Sequence, residues 1–177
     1  MSAAATSGGS EARIDAARTG DPEALASLYR THGAVLYRLA YRLTGTPQDA
    51  EDVVHDVFVG LPEALGRYEE RGSFASWLKR VTARVALMRL RARTRRREVG
   101  IEPRLPTAAP PLDSASVALR AAVDALPDPL RAVLVLKEIE GYSHAEVGEL
   151  LGISVGASRV RLNRAMRRLR KTLEDGR

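Results

Sequence analysis

The sequence contains no cysteine and has few aromatic residues. Among its 177 residues, Phe, Trp and Tyr together make up 5%. The absence of cysteine excludes disulfides, thiolate zinc sites and a cysteine nucleophile. Because aromatic residues are so scarce, the core has to be built from Leu, Val, Ile and Ala. This composition favours helices over a β-sandwich.

Long hydrophobic runs are also absent. No stretch approaches the roughly 18 consecutive apolar residues of a membrane-spanning helix. The first ten residues are mostly Ala, Ser, Thr and Gly and lack the apolar segment of a signal peptide. We therefore expect a cytoplasmic protein whose residues 1–20 form a disordered N-terminal tail.

Charge is distributed unevenly along the chain. Lys and Arg total 28 against 22 Asp and Glu, which gives a formal net charge of +6, and only three of the basic residues are lysines. Residues 21–76 hold nine acidic and five basic residues. In contrast, residues 78–104 hold two acidic and ten basic residues, and residues 159–177 hold two acidic and eight basic residues. One acidic and two arginine-rich stretches suggest a different partner for each.

A Pro-rich segment over residues 99–113 divides the chain. It holds Pro103, Pro106, Pro110 and Pro111 and few large apolar residues, as expected for a linker. The linker separates an N-terminal unit (residues 21–98) from a C-terminal unit (residues 114–177). Both units show helical periodicity, so we predict an all-α fold of two small helical domains.

In the N-terminal unit, the helix boundaries can be assigned from turn and capping residues. Asp21 before Pro22 and Thr46 before Pro47 are typical of helix starts. Pro62 either kinks or restarts the second of these helices, and Ser73 opens a long third helix. We expect Gly33 and Gly45 to break the first helix.

In the third helix we expect an inward apolar face and a weaker apolar line opposite it. The inward face is Trp77, Val81, Val85 and Met88, and the opposite line is Ala83, Ala86, Leu87 and Leu90.

Residues 144–166 of the C-terminal unit have the pattern of a helix-turn-helix. Ser143 and Glu146 form a capping box before a short helix that ends at Gly152, and Ser154 caps a long following helix. We expect its inward face to hold Val155, Leu162, Met166, Leu169 and Leu173, which leaves a basic outer face that fits a DNA major groove. A helical hairpin with a solvated basic face is the alternative.

The helix after Thr46 carries an acidic stripe, defined as Asp49, Asp52 and Asp56. These like charges at helical spacing destabilise an isolated helix by roughly 0.2–0.5 kcal/mol per pair, and a cationic partner would remove that penalty. Val59 beside the stripe would add apolar contact. A solvated acidic face explains the charges equally well.

The helix after Ser73 is rich in arginine, including Arg80, Arg84 and Arg91. Basic edges around an apolar line suit a nucleic-acid backbone. Base capture would fall to residues near the start of this helix, namely Tyr68, Arg71, Ser73 and Phe74. Trp77 is better explained as a core residue.

Nothing in the sequence favours catalysis. A Gly-rich phosphate loop and a His-Glu-x-x-His pair are both missing, and His32, His55 and His144 are scattered. We expect no enzyme activity, no cofactor and no metal.

Taken together, four segments resemble the sigma-70 family of bacterial transcription initiation factors, in its short two-domain extracytoplasmic-function (ECF) group. Residues 46–59 are similar to the helix that binds core polymerase, and residues 72–78 with the following helix to the minus-ten segment. Residues 126–136 are similar to the opening of the fourth region, and residues 141–165 to the minus-thirty-five helix-turn-helix. Arg84 and Met88 stand where the family usually has an Asn and an Asp.

The resemblance implies a dissociable, non-catalytic subunit of RNA polymerase with three binding surfaces. The acidic stripe and Val59 would dock on the coiled coil of the polymerase clamp. The minus-ten element of promoter DNA would be held by Tyr68, Arg71, Ser73, Phe74, Arg80, Arg84 and Arg91. The minus-thirty-five element would be read by Ser154, Ala157, Val160, Arg161, Arg164 and Arg168. An anti-sigma factor is a further partner that the resemblance allows, and no membrane insertion is expected.

Two other classes of protein remain as alternatives. A free-standing helix-turn-helix regulator would explain the C-terminal unit but neither the acidic stripe nor the long basic helix. A helical adaptor for protein interactions would show no salt-dependent affinity for DNA.

Overall fold

The computed structural model describes residues 4–69, 73–98 and 114–175, with side chains described for residues 11–69, 73–96 and 117–175. These residues form helices and turns without any strand, which confirms the all-α prediction. The predicted linker, residues 99–113, lies outside the described residues. The helices are α1 (Ala4–Arg18), α2 (Pro22–Thr44), α3 (Pro47–Val59), α4 (Leu61–Leu65), α5 (Phe74–Glu98), α6 (Ser114–Asp124), α7 (Asp128–Leu134), α8 (His144–Leu151) and α9 (Val155–Asp175).

The N-terminal segment is a helix, and the expectation of a disordered tail over residues 1–20 is wrong for the part described. Within α1, Ile14 and Ala17 are buried against the rest of the N-terminal unit. Arg18 Nε donates a hydrogen bond to the carbonyl of Leu65 at the end of α4 (3.2 Å). The apolar burial of one face of α1 offsets the cost of ordering a segment rich in small polar residues.

Helices α2 and α3 begin at the predicted caps. Asp21 accepts a hydrogen bond from Ala24 N, Thr46 accepts one from Asp49 N, and proline occupies an early position in both helices. Gly45 ends α2 in a left-handed conformation (φ 79°). The predicted break at Gly33 is wrong because α2 passes through it without interruption. A glycine inside a helix costs only about 1 kcal/mol, and the buried face of α2 outweighs that cost.

Helix α5 buries the face opposite to the one predicted. Leu78 is buried together with the predicted outer line of Ala83, Ala86, Leu87 and Leu90. Trp77, Val81 and Val85 are only half-buried, and Met88 is 62% exposed. Helix α5 packs against α2 and α3 through this weaker apolar line, in which the small side chains of Ala83 and Ala86 are fully buried.

In the C-terminal unit, α7 continues as one turn of π-helix over Val135–Ile139. The following turn leads to α8, where Ser143 and Glu146 form the predicted capping box. Gly152 then adopts φ 67°, which lets the chain turn into α9. Ser154 Oγ accepts a hydrogen bond from Ala157 N (3.1 Å), so it caps α9 as predicted.

The inward face of α9 also differs from the prediction. Its buried residues are Ser158, Ala165 and Leu169, with Leu162 partly buried beside them. Val155, Met166 and Leu173 are exposed by 36–44%, although we expected them inside. Helix α9 packs against α7 and α8, and two of its three buried residues, Ser158 and Ala165, are small. Close packing between helices therefore decides which face of α9 is buried, rather than the size of its apolar side chains.

The two units pack against each other. One cluster of buried side chains includes residues of α2, α3 and α5 together with Ala132, Val133, Leu136 and Val147 from the C-terminal unit. A smaller cluster around Leu126, Leu134 and Ala165 lies within the C-terminal unit. In the described residues, no helix is long and apolar enough to cross a membrane.

Candidate functional site

The acidic stripe lies on α3 but is not an unpartnered surface. The side chains of Asp52 and Asp56 are 51% and 45% exposed, and both bind the guanidinium of Arg89 on α5. Arg89 donates to Asp52 over 2.9 Å and to Asp56 over 2.9 and 2.7 Å. Burial alone would lower the pKa of Arg89, but its hydrogen bonds to Asp56 and Asp52 and their negative charges raise it overall.

Asp49 is held more deeply than the rest of the stripe. Its side chain is 30% exposed and accepts hydrogen bonds from Thr46 Oγ1 (2.8 Å) and from Arg93 Nη1 (2.7 Å). Val59, at the end of the same helix, is 67% exposed. The structure therefore keeps the predicted acidic and apolar surface together, with two arginines of α5 lying along its edge.

Three of the predicted base-capturing residues, Tyr68, Ser73 and Phe74, lie in or beside a cluster of aromatic rings. The ring of Tyr68 lies 5.6 Å from Phe74 and 4.8 Å from Trp77, and Phe74 stacks on Trp77 at 5.6 Å. The His32 ring packs edge-on against Phe74 with 5.5 Å between centroids, and burial, followed by the charge of Arg13, lowers the pKa of its imidazole. Ser73 is exposed at the start of α5, where its carbonyl accepts from Ser76 N and Trp77 N.

Of the three predicted minus-ten arginines on α5, two contact the C-terminal unit. Arg80 forms an ion pair with Glu146 and lies 5.9 Å above the ring of Tyr142. Arg91 donates to the carbonyl of Leu150 over 3.1 Å. Arg84 is exposed, and Arg71 lies outside the described residues.

Helices α8 and α9 form a tightly built helix-turn-helix. A Cβ added to Gly148 would stand only 2.8 Å from the carbonyl oxygen of Ile153, so this close approach requires glycine. His144 Nδ1 lies 2.9 Å from Ser158 Oγ, which joins the first residue of α8 to the buried face of α9. The hydrogen bonds from Ser143, followed by the charge of Arg80, lower the pKa of Glu146.

The outer face of α9 carries the predicted DNA-binding residues. Val160 is 49% exposed, Ala157 is half-buried, and the capping residue Ser154 is exposed. Arg161, Arg164 and Arg168 line one open cleft of about 660 Å³ beside the start of α7. The structure therefore brings the three arginines together on one side of the helix-turn-helix.

Arg167, which also faces outward on the helical wheel of α9, lines the same cleft. Sequence reasoning missed three pairings. Arg89 and Arg93 of the basic helix hold the acidic stripe, and Arg131, which is 3% exposed, joins the two units. These arginines pair across 33 or more residues, which helical periodicity does not encode. Among the described residues, no group of three or more His, Asp or Glu could hold a metal ion.

The fold and these surfaces define an all-helical protein with an acidic helix in its N-terminal unit and a helix-turn-helix in its C-terminal unit. Two family models match the chain in order: Sigma-70 region 2 over residues 28–96 and Sigma-70, region 4 over residues 116–169. The chain therefore belongs to the sigma-70 family of RNA polymerase sigma factors, in the ECF group, as the sequence analysis predicted.

Curated relatives support this assignment. The chain is 36% identical to ECF RNA polymerase sigma factor SigE of Mycolicibacterium smegmatis, over 88% of this chain and 65% of that protein. It therefore spans about two thirds of the length of that relative. It is 33% identical to RNA polymerase sigma factor CarQ of Myxococcus xanthus, over 89% of this chain and 94% of that protein. It is 28% identical to ECF RNA polymerase sigma factor SigW of Bacillus subtilis, over 92% of this chain and 96% of that protein.

Solved structures share the fold. The sigma factor RpoE of Bartonella quintana, solved with the anti-sigma factor NepR, matches 86% of this chain and 97% of that chain with a TM-score of 0.64 and 23% identity. CnrH, solved in complex with the cytosolic domain of CnrY, matches 92% of this chain and 96% of its own chain, with a TM-score of 0.56 and 26% identity. The free-standing helix-turn-helix regulator is not favoured, because region 2 accounts for the N-terminal unit.

Proposed function

We propose that this chain is a non-catalytic, dissociable subunit that binds core RNA polymerase and directs it to specific promoters in the cytoplasm. The observation that carries this proposal is that one chain holds both family regions in order, with the acidic helix α3 in the first and the helix-turn-helix α8–α9 in the second. Its partners are core polymerase and promoter DNA, with an anti-sigma factor as a third class to test. We propose no cofactor.

The acidic stripe and Val59 are the proposed docking surface for the basic coiled coil of the polymerase clamp. Asp52 and Asp56 remain about half exposed although they pair with Arg89, so a second cation can approach them. An exposed Val59 on the same helix adds an apolar contact. Charge complementarity of this kind steers encounter and sets orientation.

The minus-ten surface is proposed around the aromatic cluster at the start of α5. Tyr68, Ser73 and Phe74, with Arg71 in the adjoining segment, would hold an unpaired base, since half-buried rings present a face on which a base can stack. The three arginines Arg80, Arg84 and Arg91 would hold the phosphates.

The minus-thirty-five surface is proposed on α9. Ala157, Val160, Arg161 and Arg164 lie in its first turns, which enter deepest when a recognition helix occupies a major groove. Ser154 caps the helix and would approach a phosphate, and Arg168 lies further along, where it would reach the DNA backbone.

The docking surface can be tested by reversing two of its charges. Asp52→Arg together with Asp56→Arg places like charges against the basic partner, and we expect affinity for core polymerase to fall by about a hundredfold or more. The measurement is titration of labelled chain with core polymerase, followed by run-off transcription. Circular dichroism checks folding, because the double change also removes both partners of Arg89.

Glu51→Arg is the matched control for this test. Glu51 is exposed on α3 outside the stripe, so a single charge reversal there, half the charge change of the double variant, should leave affinity within about twofold of the parent. A folded double variant that binds core polymerase as the parent does would refute the docking surface. Failure of the parent to support transcription with core polymerase would refute the proposed function as a whole.

A further inference from the structure

An open cavity of about 290 Å³ lies between α1 and the aromatic cluster at the start of α5. It is lined by one apolar side chain, Ile14, and by four polar ones, Glu11, Asp15, Arg18 and Tyr68. Helix α1 lies before both of the family regions that match the chain, so neither region accounts for this cavity. Sites for small ligands hold about 300–1,000 Å³, and a cavity at the lower end of that range suits a single nucleobase.

Arg18 of α1 helps to fix Tyr68 beside the cavity. The carbonyl of Leu65 accepts hydrogen bonds from both Arg18 Nε (3.2 Å) and Tyr68 N (3.1 Å). The Tyr68 ring also packs against Trp77, with 4.8 Å between centroids, and against Phe74, with 5.6 Å. The ring is therefore held from both α1 and α5, and it remains half-buried where it lines the cavity.

The polar wall on α1 offers a hydrogen-bond donor beside an acceptor. Arg18 Nη1 pairs with Asp15 over 3.2 Å, and the two side chains are 44% and 69% exposed. A guanidinium carries five N–H donors, so Arg18 keeps donors for a ligand beyond those used on Leu65 and Asp15. A donor and an acceptor next to an aromatic ring are what is needed to stack an unpaired base and bind its edge.

The charges on α1 also allow a DNA strand to approach. The two carboxylates that line the cavity are balanced by two arginines of the same helix, Arg13 and Arg18. Burial, followed by the charge of Arg13, lowers the pKa of His32, whose ring packs on Phe74. Arg13 therefore lies on the side of α1 towards the aromatic cluster, where it can hold the phosphate between two neighbouring unpaired bases.

We infer that the cavity takes a second unpaired base, next to the base held at Ser73 and Phe74, so that α1 extends the minus-ten surface by one nucleotide. The inference rests on the proposed minus-ten surface. Tyr68 stacks on the second base, and Asp15 accepts from its exocyclic amino group, as Asp and Glu do from cytosine. Because thymine alone lacks such a group, the cavity disfavours thymine at that one position.

The test is promoter selection by the holoenzyme, assembled from the full chain and core polymerase. The library randomises the minus-ten element and the nucleotides on either side of it, and DNA recovered from heparin-resistant open complexes is sequenced. With the parent, thymine should be recovered about three- to tenfold less often than the other bases at one position. Asp15→Ala should remove this difference and leave the preferences at all other positions unchanged.

Glu63→Ala is the matched control. Glu63 is an exposed carboxylate that pairs with an arginine of its own segment, as Asp15 does, but it lies outside the cavity. Its replacement should leave the preference of the parent at every position. Arg18→Gln tests the cavity through its other polar side chain, and it should weaken discrimination at the same single position by about three- to tenfold.

Two results would overturn this inference and leave the proposed function standing. In the first, both folded variants keep the preference of the parent at every position, so the cavity binds no base. In the second, both variants lower the recovery of all sequences equally, so α1 only supports the fold. Failure of the proposed minus-ten surface would already be visible in the parent, as the absence of any sequence preference within the minus-ten element, and the inference would fall with it.

Discussion

Replacing Arg131 by methionine tests whether the two units pack as the structure shows. Arg131 is 3% exposed, and its five N–H donors all make hydrogen bonds. Two go to α2, at the carbonyls of Leu43 (3.2 Å) and Thr44 (3.4 Å). The others go to the carbonyls of Asp124 (3.1 Å) and Leu126 (3.4 Å) and to Asp128 Oδ1 (2.6 Å). Methionine keeps the apolar stem and removes all five.

The expected loss follows from what remains buried. Each unsatisfied buried acceptor costs about 1–3 kcal/mol, but Asp128 keeps Arg93 as a partner, and carbonyls near the boundary can recruit water. We therefore expect Arg131→Met to lower the free energy of unfolding by about 1–3 kcal/mol, the cost of leaving a buried acceptor without its donor. Burial lowers the pKa of Arg131, although Asp128 opposes this shift. The guanidinium nevertheless stays charged at neutral pH, so this loss applies there.

Urea denaturation followed by circular dichroism measures this loss. The exposed Arg170 on α9 supplies the control, and Arg170→Met should change the unfolding free energy by less than about 0.5 kcal/mol. Arg131→Lys, which keeps the charge but has three donors, should fall between the parent and Arg131→Met. A loss below about 1 kcal/mol in Arg131→Met would refute the buried position of this guanidinium and the packing of the units around it.

Two further predictions concern α9 and α8. Val160→Ser should lose discrimination at one thymine of the minus-thirty-five element, because an aliphatic side chain can contact the thymine methyl group. The expected loss is a fraction of the about 1–3 kcal/mol that a mismatched base pair costs. Arg168→Ala should weaken binding to all sequences about equally, because a contact to the DNA backbone carries no sequence information. Selection from a promoter library tests both, and an unchanged preference in Val160→Ser would contradict our placement of the helix in the groove. The pKa of Glu146 is lower in the folded chain than its ordinary value of 4.5. The Glu146 carboxylate therefore stabilises the fold above pH 4.5, and this stabilisation is lost as the pH falls below that value. In thermal unfolding at a series of pH values, the difference in melting temperature between the parent and Glu146→Gln should therefore shrink below that pH. A difference that stays constant down to about pH 3 would refute this prediction.

The helix ends were predictable because their signals are local. Asp21, Thr46, Ser143 and Ser154 cap helices as expected, since a side chain that accepts from a backbone N–H two or three residues later needs no tertiary context. The left-handed turn at Gly152 was predictable for the same reason.

The buried faces were less predictable, because a helix can present two apolar lines. On α5, the prediction favoured the larger side chains of Trp77, Val81, Val85 and Met88. The structure instead buries Ala83 and Ala86 fully, because neighbouring helices approach closely only where side chains are small. Sequence periodicity gives the spacing of such lines but not which of them meets another helix.

The pairing of the acidic stripe was invisible for a different reason. Its partners, Arg89 and Arg93, follow it by 33–44 residues, so no local rule relates them. The prediction that Asp49, Asp52 and Asp56 serve docking remains, but the structure changes its energetics. An incoming cation now meets carboxylates that an arginine already partly neutralises, which lowers the net gain from docking.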